Sequence, residues 1–309
     1  MVEAGRVLVT GGCGFIGRAM VAALRRDGVP VTVADREPPD PDWDDGVLTV
    51  TGDLAERATR EAAFEPGVAA VVHLAAVTSV LRSVDSPMRT FRENVVITQE
   101  LLELARARGT SAFVLASTNA VVGSVGEATI TESIAPHPLT PYGATKAACE
   151  MLMSAYAGSY GMTTSALRLT NVYGPGMVHK DSFVPRLMRA ALNGTGVTVY
   201  GDGMQRRDLV FLDDVVAAFR RALVIGHTGR AIVGAGRSVS VLELVELARE
   251  VTGCPLPVEH VPPPAGEMPA VVVDVSRSAE TLGYRPTVSL AEGLARTWQD
   301  FSERHGIPR

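Results

Sequence analysis

The chain of 309 residues has little cysteine and no long uninterrupted apolar run. Its cysteines, Cys13, Cys149 and Cys254, are scattered and odd in number, so they form neither a disulfide framework nor the ligand spacing of a zinc site. No apolar stretch reaches membrane-spanning length without charges or turn residues, and no signal-peptide pattern is visible. Because scattered free cysteines suit a reducing compartment, we expect a cytoplasmic protein. From the missing apolar stretch we expect no membrane partner, and from the missing ligand spacing we expect no metal.

Basic runs are also absent. The formal net charge is −5, which argues against a nucleic-acid surface. The length is sufficient for a sizeable core, either as one large α/β unit or as two closely joined domains. Cys13 lies among glycines, where a small side chain is required, so we interpret it as structural and not as a redox group.

A glycine turn follows the first strand-like segment. An apolar run ending at Val9 precedes glycines at positions 11, 12, 14 and 17, and an amphipathic segment comes next. Backbone without side chains can approach a pyrophosphate, and a helix N-terminus directs its free N–H groups at the same phosphates. Asp35 ends the next strand, where a carboxylate can accept both hydroxyls of an adenosine ribose. This order predicts a dinucleotide site; a glycine-rich turn in some other α/β protein is the alternative.

Strand-like and helix-like segments alternate along the first half, which predicts a parallel sheet covered on both faces. The expected strands are Val7–Thr10, Val31–Ala34, Leu48–Thr51, Val68–Leu74, Ala112–Ser117 and Thr164–Leu169, with helices at Gly14–Arg26 and Ser86–Arg108. We therefore expect an α/β protein with a doubly wound Rossmann sheet. Its NAD-binding domain would span residues 1–170 with part of 205–235. Residues 171–309 would mainly form a smaller C-terminal α/β substrate-binding domain, with the cleft between the two.

Tyr142 and Lys146 form a second chemical group. They are four residues apart, so on a helix they share one face, and Pro141 marks the helix start. The unperturbed pKa of tyrosine is about 10. A neighbouring ammonium and a positive nicotinamide would lower that pKa and make the phenol a usable base. Ser117 or Thr118, at the end of a strand, supplies a hydroxyl partner. Without the dinucleotide motif, a solvated helix would be the better interpretation.

Further motifs extend over nearly the whole chain. They are Thr10–Gly17, Gly52–Leu54, His73–Ala76, Asn94, Ser117–Gly123, Tyr142 with Lys146, Arg168–Pro175, Gly201–Asp208 and Leu282–Pro286. In this order they resemble the extended short-chain dehydrogenase/reductases, in particular the NAD-dependent nucleotide-sugar epimerases of the UDP-glucose 4-epimerase type.

This resemblance implies roles for individual residues. Tyr142 would be the base, Thr118 its hydroxyl partner, and Lys146 would hold the nicotinamide ribose. The implied cofactor site is Gly11, Gly14, Phe15, Ile16, Gly17, Asp35, Arg36, Asp53, Leu54, Leu74, Ala75, Ala76, Asn94, Ser117, Tyr142 and Lys146. The implied substrate contacts are Thr78, Thr118, Asn119, Asn171, Arg207 and Val271. Structural alternatives are a helix cap for Asp53, a turn for Asn171, and pairing of Arg207 with Asp208 or Asp213. We interpret His73, in a buried strand, as structural.

Three consecutive residues narrow the choice among the reactions of this family. The related 4,6-dehydratases carry Thr-Asp-Glu where this chain has Thr118, Asn119 and Ala120, and the related decarboxylases carry Glu at the last position. An amide and a methyl group cannot transfer those protons. We therefore predict 4-epimerisation of a nucleotide sugar through a transient 4-keto sugar, with UDP-glucose and UDP-galactose as the default pair. A nucleotide-sugar reductase or dehydrogenase and a non-catalytic NAD(H)-binding module stay open, and a dehydratase is disfavoured.

Departures from the family pattern leave the sugar open. The family tyrosine of the Val-Tyr-Gly segment is Val122, and an arginine that binds the substrate diphosphate in many relatives falls at Pro264. Loss of a bidentate phosphate donor would be costly. Val271 is small where the epimerases limit the sugar pocket, which favours room for an N-acetyl group. The candidate replacements for the arginine are Lys180, Arg206 and Arg237.

Two expectations concern the cofactor and the partner. Asp35 favours NAD because its carboxylate would repel a 2′-phosphate, whereas Arg36 keeps NADP as the alternative. The resemblance also implies a homodimer formed by the helix near residues 88–108 and the helix that starts at Tyr142. The apolar residues Leu101, Leu102, Leu104 and Ala105 fit either that interface or the core.

Overall fold

The computed structural model describes residues 5–41, 43, 46–65, 67–263 and 270–304. The strands, in chain order, are β1 (Arg6–Thr10), β2 (Val31–Asp35), β3 (Val47–Thr51), β4 (Val68–His73), β5 (Ala112–Thr118), β6 (Thr129–Ile130), β7 (Thr163–Leu169), β8 (Asn171–Tyr173), β9 (Val197–Tyr200), β10 (Arg206–Phe211), β11 (Gly229–Val233), β12 (Ser238–Ser240), β13 (Val258–Val261) and β14 (Val272–Val273).

The α-helices, in chain order, are α1 (Phe15–Arg26), α2 (Arg57–Ala63), α3 (Val80–Asp85), α4 (Pro87–Phe91), α5 (Ile97–Ala107), α6 (Pro141–Tyr160), α7 (Phe183–Asn193), α8 (Leu212–Ile225), α9 (Val241–Thr252), α10 (Ser276–Thr281) and α11 (Leu290–Arg304). A π-helical turn at Arg92–Val96 joins α4 to α5, and a 3-10 helix at Asn119–Val122 follows β5. No helix within the described ranges is long and apolar enough to cross a membrane.

A seven-stranded sheet forms the centre of the described structure, in the order β11-β7-β5-β4-β1-β2-β3. Every neighbouring pair is parallel. The strand order reverses between β1 and β4, and in open α/β sheets ligands bind at this switch point, beyond the carboxyl ends of the strands. The predicted doubly wound sheet is confirmed, and each predicted strand end lies within one residue of the observed end.

The sheet is covered by helices on both faces. Side chains of a strand alternate between faces. Val9 therefore packs with Met20 of α1 and Phe219 of α8, whereas Leu8 packs with Leu101 of α5 on the opposite face. A strand buried on both sides needs apolar residues at successive positions, which explains the uninterrupted apolar run of β1.

The second half of the chain contributes to two places. β11 supplies the edge strand of the main sheet, and it lies in the 205–235 segment that we expected to return to the nucleotide domain. β8, β10 and β12 form a separate three-stranded sheet. A separate apolar cluster there includes Leu187 of α7, Leu244 of α9 and Phe301 of α11. The two domain ranges themselves stay a prediction.

The predicted helix at Ser86–Arg108 consists of α4, the π-helical turn and α5. Leu101, Leu102 and Ala105 are fully buried, and Leu104 packs against the same cluster on the sheet. Leu101, Leu102 and Ala105 therefore belong to the core, and Leu104 lies at its edge. The homodimer itself stays a prediction.

Candidate active site at the carboxyl ends of the strands

The glycine turn brings two backbone segments into close contact. Gly11 has φ +69°, and a Cβ atom at this residue would lie 2.7 Å from the backbone nitrogen of Ala75. No side chain caps the start of α1, where Gly14 is the N-cap. The N-terminus of α1 therefore presents free N–H groups and the positive end of its dipole beside bare backbone. This cradle fits the pyrophosphate of a dinucleotide.

The carboxylate of Asp35 is fixed at the end of β2. Its Oδ2 accepts from the backbone N–H of Cys13 at 2.9 Å, and its Oδ1 accepts from that of Glu37 at 3.1 Å. The neighbouring Arg36 is held by two acids, with distances of 2.8 Å to Asp53 and 3.1 Å to Glu93. The carboxylate is thus placed for ribose hydroxyls, while the guanidinium that would serve a 2′-phosphate is engaged.

A cavity of about 570 Å³ lies above these ends. It brings together most of the predicted site: Gly11, Gly14, Phe15, Ile16, Gly17, Asp35, Arg36, Asp53, Leu54, Leu74, Ala75, Ala76, Thr78, Ser117, Thr118, Tyr142, Lys146 and Asn171. These residues come from segments spread over much of the chain, because the parallel strands end at one edge of the sheet.

Tyr142, Thr118 and Lys146 meet at one end of this cavity. α6 starts at Pro141, and the hydroxyl of Thr140 caps it by accepting from the Gly143 N–H at 3.2 Å. Lys146 is buried, and its Nζ donates to the carbonyl oxygen of Ala116 at 2.9 Å.

Burial sets the proton affinities at this end of the cavity. Burial raises the pKa of Tyr142 to about 12, and a hydrogen bond with Thr118 opposes the rise. Burial also lowers the pKa of Lys146. Before Tyr142 can act as a base, its pKa must fall; positive charge beside the phenol has that effect.

Asn94, which we predicted to contact the cofactor, does not line the cavity. Its Oδ1 accepts from the Val77 N–H at 2.8 Å, and its Nδ2 donates to the Val77 carbonyl at 3.1 Å and to Thr145 Oγ1 at 3.0 Å. The π-helical turn buries Asn94 behind the segment after β4, so that it holds this segment against α6. Contacts across three elements cannot be deduced from a lone asparagine in the sequence.

A second cavity of about 250 Å³ adjoins the first at Asn171, which lines both. Arg207 lines this second cavity, and its Nη1 donates to the Arg206 carbonyl at 2.9 Å. The two carboxylates considered as its partners bind other groups. Asp208 accepts from Thr170 Oγ1 at 2.7 Å, and Asp213 pairs with Arg296 at 2.7 Å.

Three further predictions have different outcomes. Val271 is 2 % exposed and packs in an apolar cluster with Val121 and Val122, outside both cavities, because its strand-edge position faces the protein interior. Asn119 begins the 3-10 helix and lines neither cavity. Val271 and Asn119 therefore lie outside both cavities, and their substrate contacts stay a prediction. Pro264 lies outside the described residues.

The cavity wall also contains residues that we did not predict from the sequence, among them Glu37 and Glu93. Glu37 could have been predicted, because it lies two positions after the predicted ribose-binding residue Asp35. Nothing in the sequence near Glu93 indicates that it lines the cavity. Cys13 also lines the cavity, where burial raises the pKa of its thiol to about 11. A protonated thiol is a poor nucleophile, consistent with the structural interpretation of this cysteine.

His73 is buried in β4 between two threonine hydroxyls. Its Nδ1 lies 2.7 Å from Thr10 Oγ1 and its Nε2 lies 3.0 Å from Thr98 Oγ1. Burial, with the charge of Lys146, lowers the pKa of this imidazole to about 3, so the ring is neutral near pH 7. It joins β1 to α5 and does not line the cavity.

The family model described as the NAD dependent epimerase/dehydratase family matches residues 7–233. The chain belongs to this family. Membership of an NAD dependent family confirms the predicted cofactor, and together with the relatives described next it places the chain among enzymes of nucleotide sugars. The predicted resemblance to short-chain epimerases is likewise confirmed.

Members of both reaction types are similar to this chain. UDP-glucose 4-epimerase of Mycolicibacterium smegmatis is 36% identical, over 97% of this chain and 99% of that protein. dTDP-glucose 4,6-dehydratase of Streptomyces griseus is 35% identical, over 94% of this chain and 92% of that protein.

Two solved structures of the family share the fold. The UDP-glucose 4-epimerase of Thermotoga maritima, with UDP-glucose, has a TM-score of 0.92 at 32% identity and covers 97% and 99% of the two chains. The Thermus thermophilus UDP-glucose 4-epimerase, in complex with NAD, has a TM-score of 0.88 at 35% identity and covers 96% and 98%.

Proposed function

We propose that this family member is a nucleotide-sugar 4-epimerase, with UDP-glucose and UDP-galactose as its default pair. The main observation behind this proposal is that Tyr142, Thr118 and Lys146 line the cofactor cavity together. Among the described residues that line it, none from β5 or α6 carries a carboxyl group. The similarity to two UDP-glucose 4-epimerases supports this proposal.

In the proposed reaction, the phenolate of Tyr142 takes the proton of the sugar 4-hydroxyl while Thr118 shares the hydrogen bond. Lys146 lowers the pKa of the phenol by its charge and holds the cofactor ribose. A nicotinamide cofactor, held through its ribose by Lys146, would supply the hydride chemistry at C4 of the sugar. Inversion at C4 would require the transient 4-keto sugar to present its other face in the cleft, and Tyr142 would then return the proton to the 4-oxygen.

The distribution of acids favours epimerisation over dehydration. Loss of water needs an acid and a base beside the sugar. The described carboxyl groups on the cavity wall are Asp35, Glu37, Asp53 and Glu93, which surround Arg36 and the end of β2. Asn119 and Ala120 stand where the dehydratases carry their two carboxyl groups. Because a dehydratase is nearly as similar to this chain as an epimerase is, the proposal rests on these residues and not on overall identity.

We assign the second cavity to the nucleotide of the substrate. Asn171 lines both cavities, Arg186 and Arg207 line the second, and Lys180 lines the first. A diphosphate passing from one cavity to the other would meet cations on both sides. Lys180 is our preferred replacement for the arginine missing at Pro264, since Arg206 already donates to the Ser238 carbonyl at 2.6 Å.

We also propose a homodimer that acts in the cytoplasm. Large apolar side chains are exposed on α4 and α6, namely Met88 at 64 %, Phe91 at 46 % and Met151 at 61 %. A second copy of the chain would cover them, as the family resemblance implies. The free cysteines suit a reducing compartment. Light scattering of the purified protein at micromolar concentration tests the dimer; a monomer mass would contradict it.

A panel of UDP-, dTDP-, GDP- and CDP-sugars tests the proposed reaction. Sugar NMR follows the product, and absorbance of the reduced nicotinamide follows the cofactor. Interconversion of two epimers without net change in absorbance is the expected result. Stoichiometric consumption of cofactor would identify a reductase or dehydrogenase, and a 4-keto-6-deoxy product would identify a dehydratase. No reaction with any sugar would favour an NAD(H)-binding module.

A further inference from the structure

The face of α6 that carries Tyr142 and Lys146 continues to a third polar residue, Glu150. The three residues are spaced by four, so they lie one above another along the helix. Glu150 does not line the cavity. Its carboxylate is instead buried between α6 and the sheet, where its side chain is 3% exposed.

One carboxylate joins three elements here. Ser117 Oγ, on β5, donates to Glu150 Oε1 at 2.5 Å. Arg168, on β7, donates from Nε to Oε1 at 3.0 Å and from Nη2 to Oε2 at 2.8 Å. Ser117 and Arg168 are direct neighbours in the register of the two strands. The Arg168 side chain is completely buried.

Stability is a poor explanation for this pair. Two desolvated charges often contribute no more to stability than well-packed apolar side chains of similar volume. Arg168 Nη1 also has no hydrogen-bond partner in the part of the chain that the structure describes. A buried pair with an unsatisfied donor calls for a role other than stability.

Consecutive residues at the end of β5 meet the three helix residues one to one. The carbonyl of Ala116 accepts from Lys146, the hydroxyl of Ser117 donates to Glu150, and Thr118 hydrogen-bonds with Tyr142. Along β5, the Ser117–Glu150 bond therefore lies between the contact to Lys146 and the contact to Tyr142, the two residues on which the proposed proton transfer depends.

The groups around Lys146 leave Glu150 as a source of compensating negative charge. Burial lowers the pKa of Lys146, and Cys149 and then Glu150 oppose that shift. His73 of β4 is neutral near pH 7 because burial lowers its pKa to about 3. The thiol of Cys149 is neutral because burial raises its pKa. Burial and the Thr118 hydrogen bond are the effects on the pKa of Tyr142, and Glu150 has no direct effect among them. The charge of Lys146, one helical turn away on the same face, would act to lower that pKa.

We propose that the Glu150–Arg168 pair is a positioning device that fixes the Ser117–Thr118 strand end against α6 and keeps Lys146 charged for proton transfer at Tyr142. The part of this proposal that concerns proton transfer rests on the proposed function. Neither residue touches the reacting atoms.

Two variants test the effects of losing the charge and the hydrogen bonds in a protein that still folds. The double variant E150M/R168M removes both charges together and leaves no unpaired ion, so the fold is expected to persist. The single variant Glu150→Gln is isosteric, removes only the charge and can still accept the Ser117 hydrogen bond. Asp214→Asn is the matched control, because Asp214 is a buried carboxylate that accepts from Thr287 and Val288 and lines neither cavity.

Titration of Tyr142 in the NAD complex is the decisive measurement. The tyrosinate absorbance of each protein is compared with that of the same protein carrying Tyr142→Phe. In E150M/R168M and in Glu150→Gln we expect the titration to move to higher pH by about one unit, because a less charged Lys146 no longer lowers the pKa of the phenol. We expect kcat near neutral pH to fall about tenfold with little change in KM. Asp214→Asn should move neither.

The outcomes distinguish this inference from the proposed reaction. If either folded variant titrates and turns over as the parent protein does, the positioning role is wrong. If the parent protein converts no nucleotide sugar, the proposed reaction fails, yet the shift of the Tyr142 titration still decides the positioning role. A shift without turnover supports the pair as a positioning device, and no shift overturns it.

Discussion

The side chains of Tyr142 and Thr118 share a hydrogen bond between the first turn of α6 and the last residue of β5. This bond stabilises the phenolate more than the phenol, and it opposes the rise of the Tyr142 pKa that burial causes. It joins the two chain segments that carry the groups expected to transfer the proton, the phenol on α6 and the hydroxyl on β5.

Replacement Tyr142→Phe removes the proposed base. We expect kcat to fall about 10²- to 10⁴-fold, because this is the usual contribution of a positioned acid or base. NAD affinity should remain, since most cavity residues are unchanged. The matched control is Tyr156→Phe, on the same helix, whose hydroxyl accepts from Gln99 at 2.7 Å and which does not line the cavity. Steady-state kinetics and calorimetry measure both quantities; retained turnover in Tyr142→Phe would remove it as the base.

Replacement Thr118→Ala removes the hydrogen bond to the phenol. We expect kcat to fall about 10- to 100-fold, as for a lost hydrogen bond to a charged group. The loss also raises the pKa of Tyr142. Since the base form must be deprotonated, the acidic limb of the pH profile of kcat moves to higher pH.

Thr118→Ser is the control for that change, because it keeps the hydroxyl. It should restore most of the activity and return the acidic limb to its original position. An unchanged pH profile in Thr118→Ala would show that the hydroxyl does not act on the phenol.

Replacement Asp35→Asn tests the choice of cofactor. The neutral amide is a weaker acceptor for ribose hydroxyls and repels a 2′-phosphate less, so NAD affinity should fall about tenfold while NADP affinity rises. Asp27→Asn is the control, as Asp27 pairs with Arg220 at 2.5 Å and lies outside the cavity. Isothermal calorimetry with each cofactor gives the answer, and equal losses for both cofactors would contradict it.

Replacement Arg168→Met alone leaves the Glu150 carboxylate buried without its ionic partner. We expect the free energy of unfolding to fall by about 3–5 kcal/mol, the usual cost of an uncompensated buried charge. The double variant E150M/R168M should be more stable than the single one. Urea denaturation of the three proteins measures the difference; a double variant no more stable than Arg168→Met would show that the charge was not the cause.

Much of the fold could be predicted from the sequence because its signals are local. The apolar run before Gly11 and the acid at Asp35 identify the first βαβ unit, and strand ends agree with the structure to within one residue. The placement of individual cofactor and substrate residues in the cavities was predicted less well. Val271 and Asn94 occupy matching motif positions, yet one packs among valines and the other holds Val77. Their neighbours come from distant segments, which a motif does not specify.

The sequence by itself determined the dinucleotide turn, the alternation that folds as a doubly wound sheet, and the four-residue spacing of Tyr142 and Lys146. These depend on backbone freedom and on helix or strand periodicity, which nearby residues set. Only the tertiary structure decided that Ala116, Ser117 and Thr118 meet Lys146, Glu150 and Tyr142 in turn. That pairing depends on how α6 packs across β5 and on the register of β5 with β7, since contacts between distant segments form only when the whole sheet is assembled.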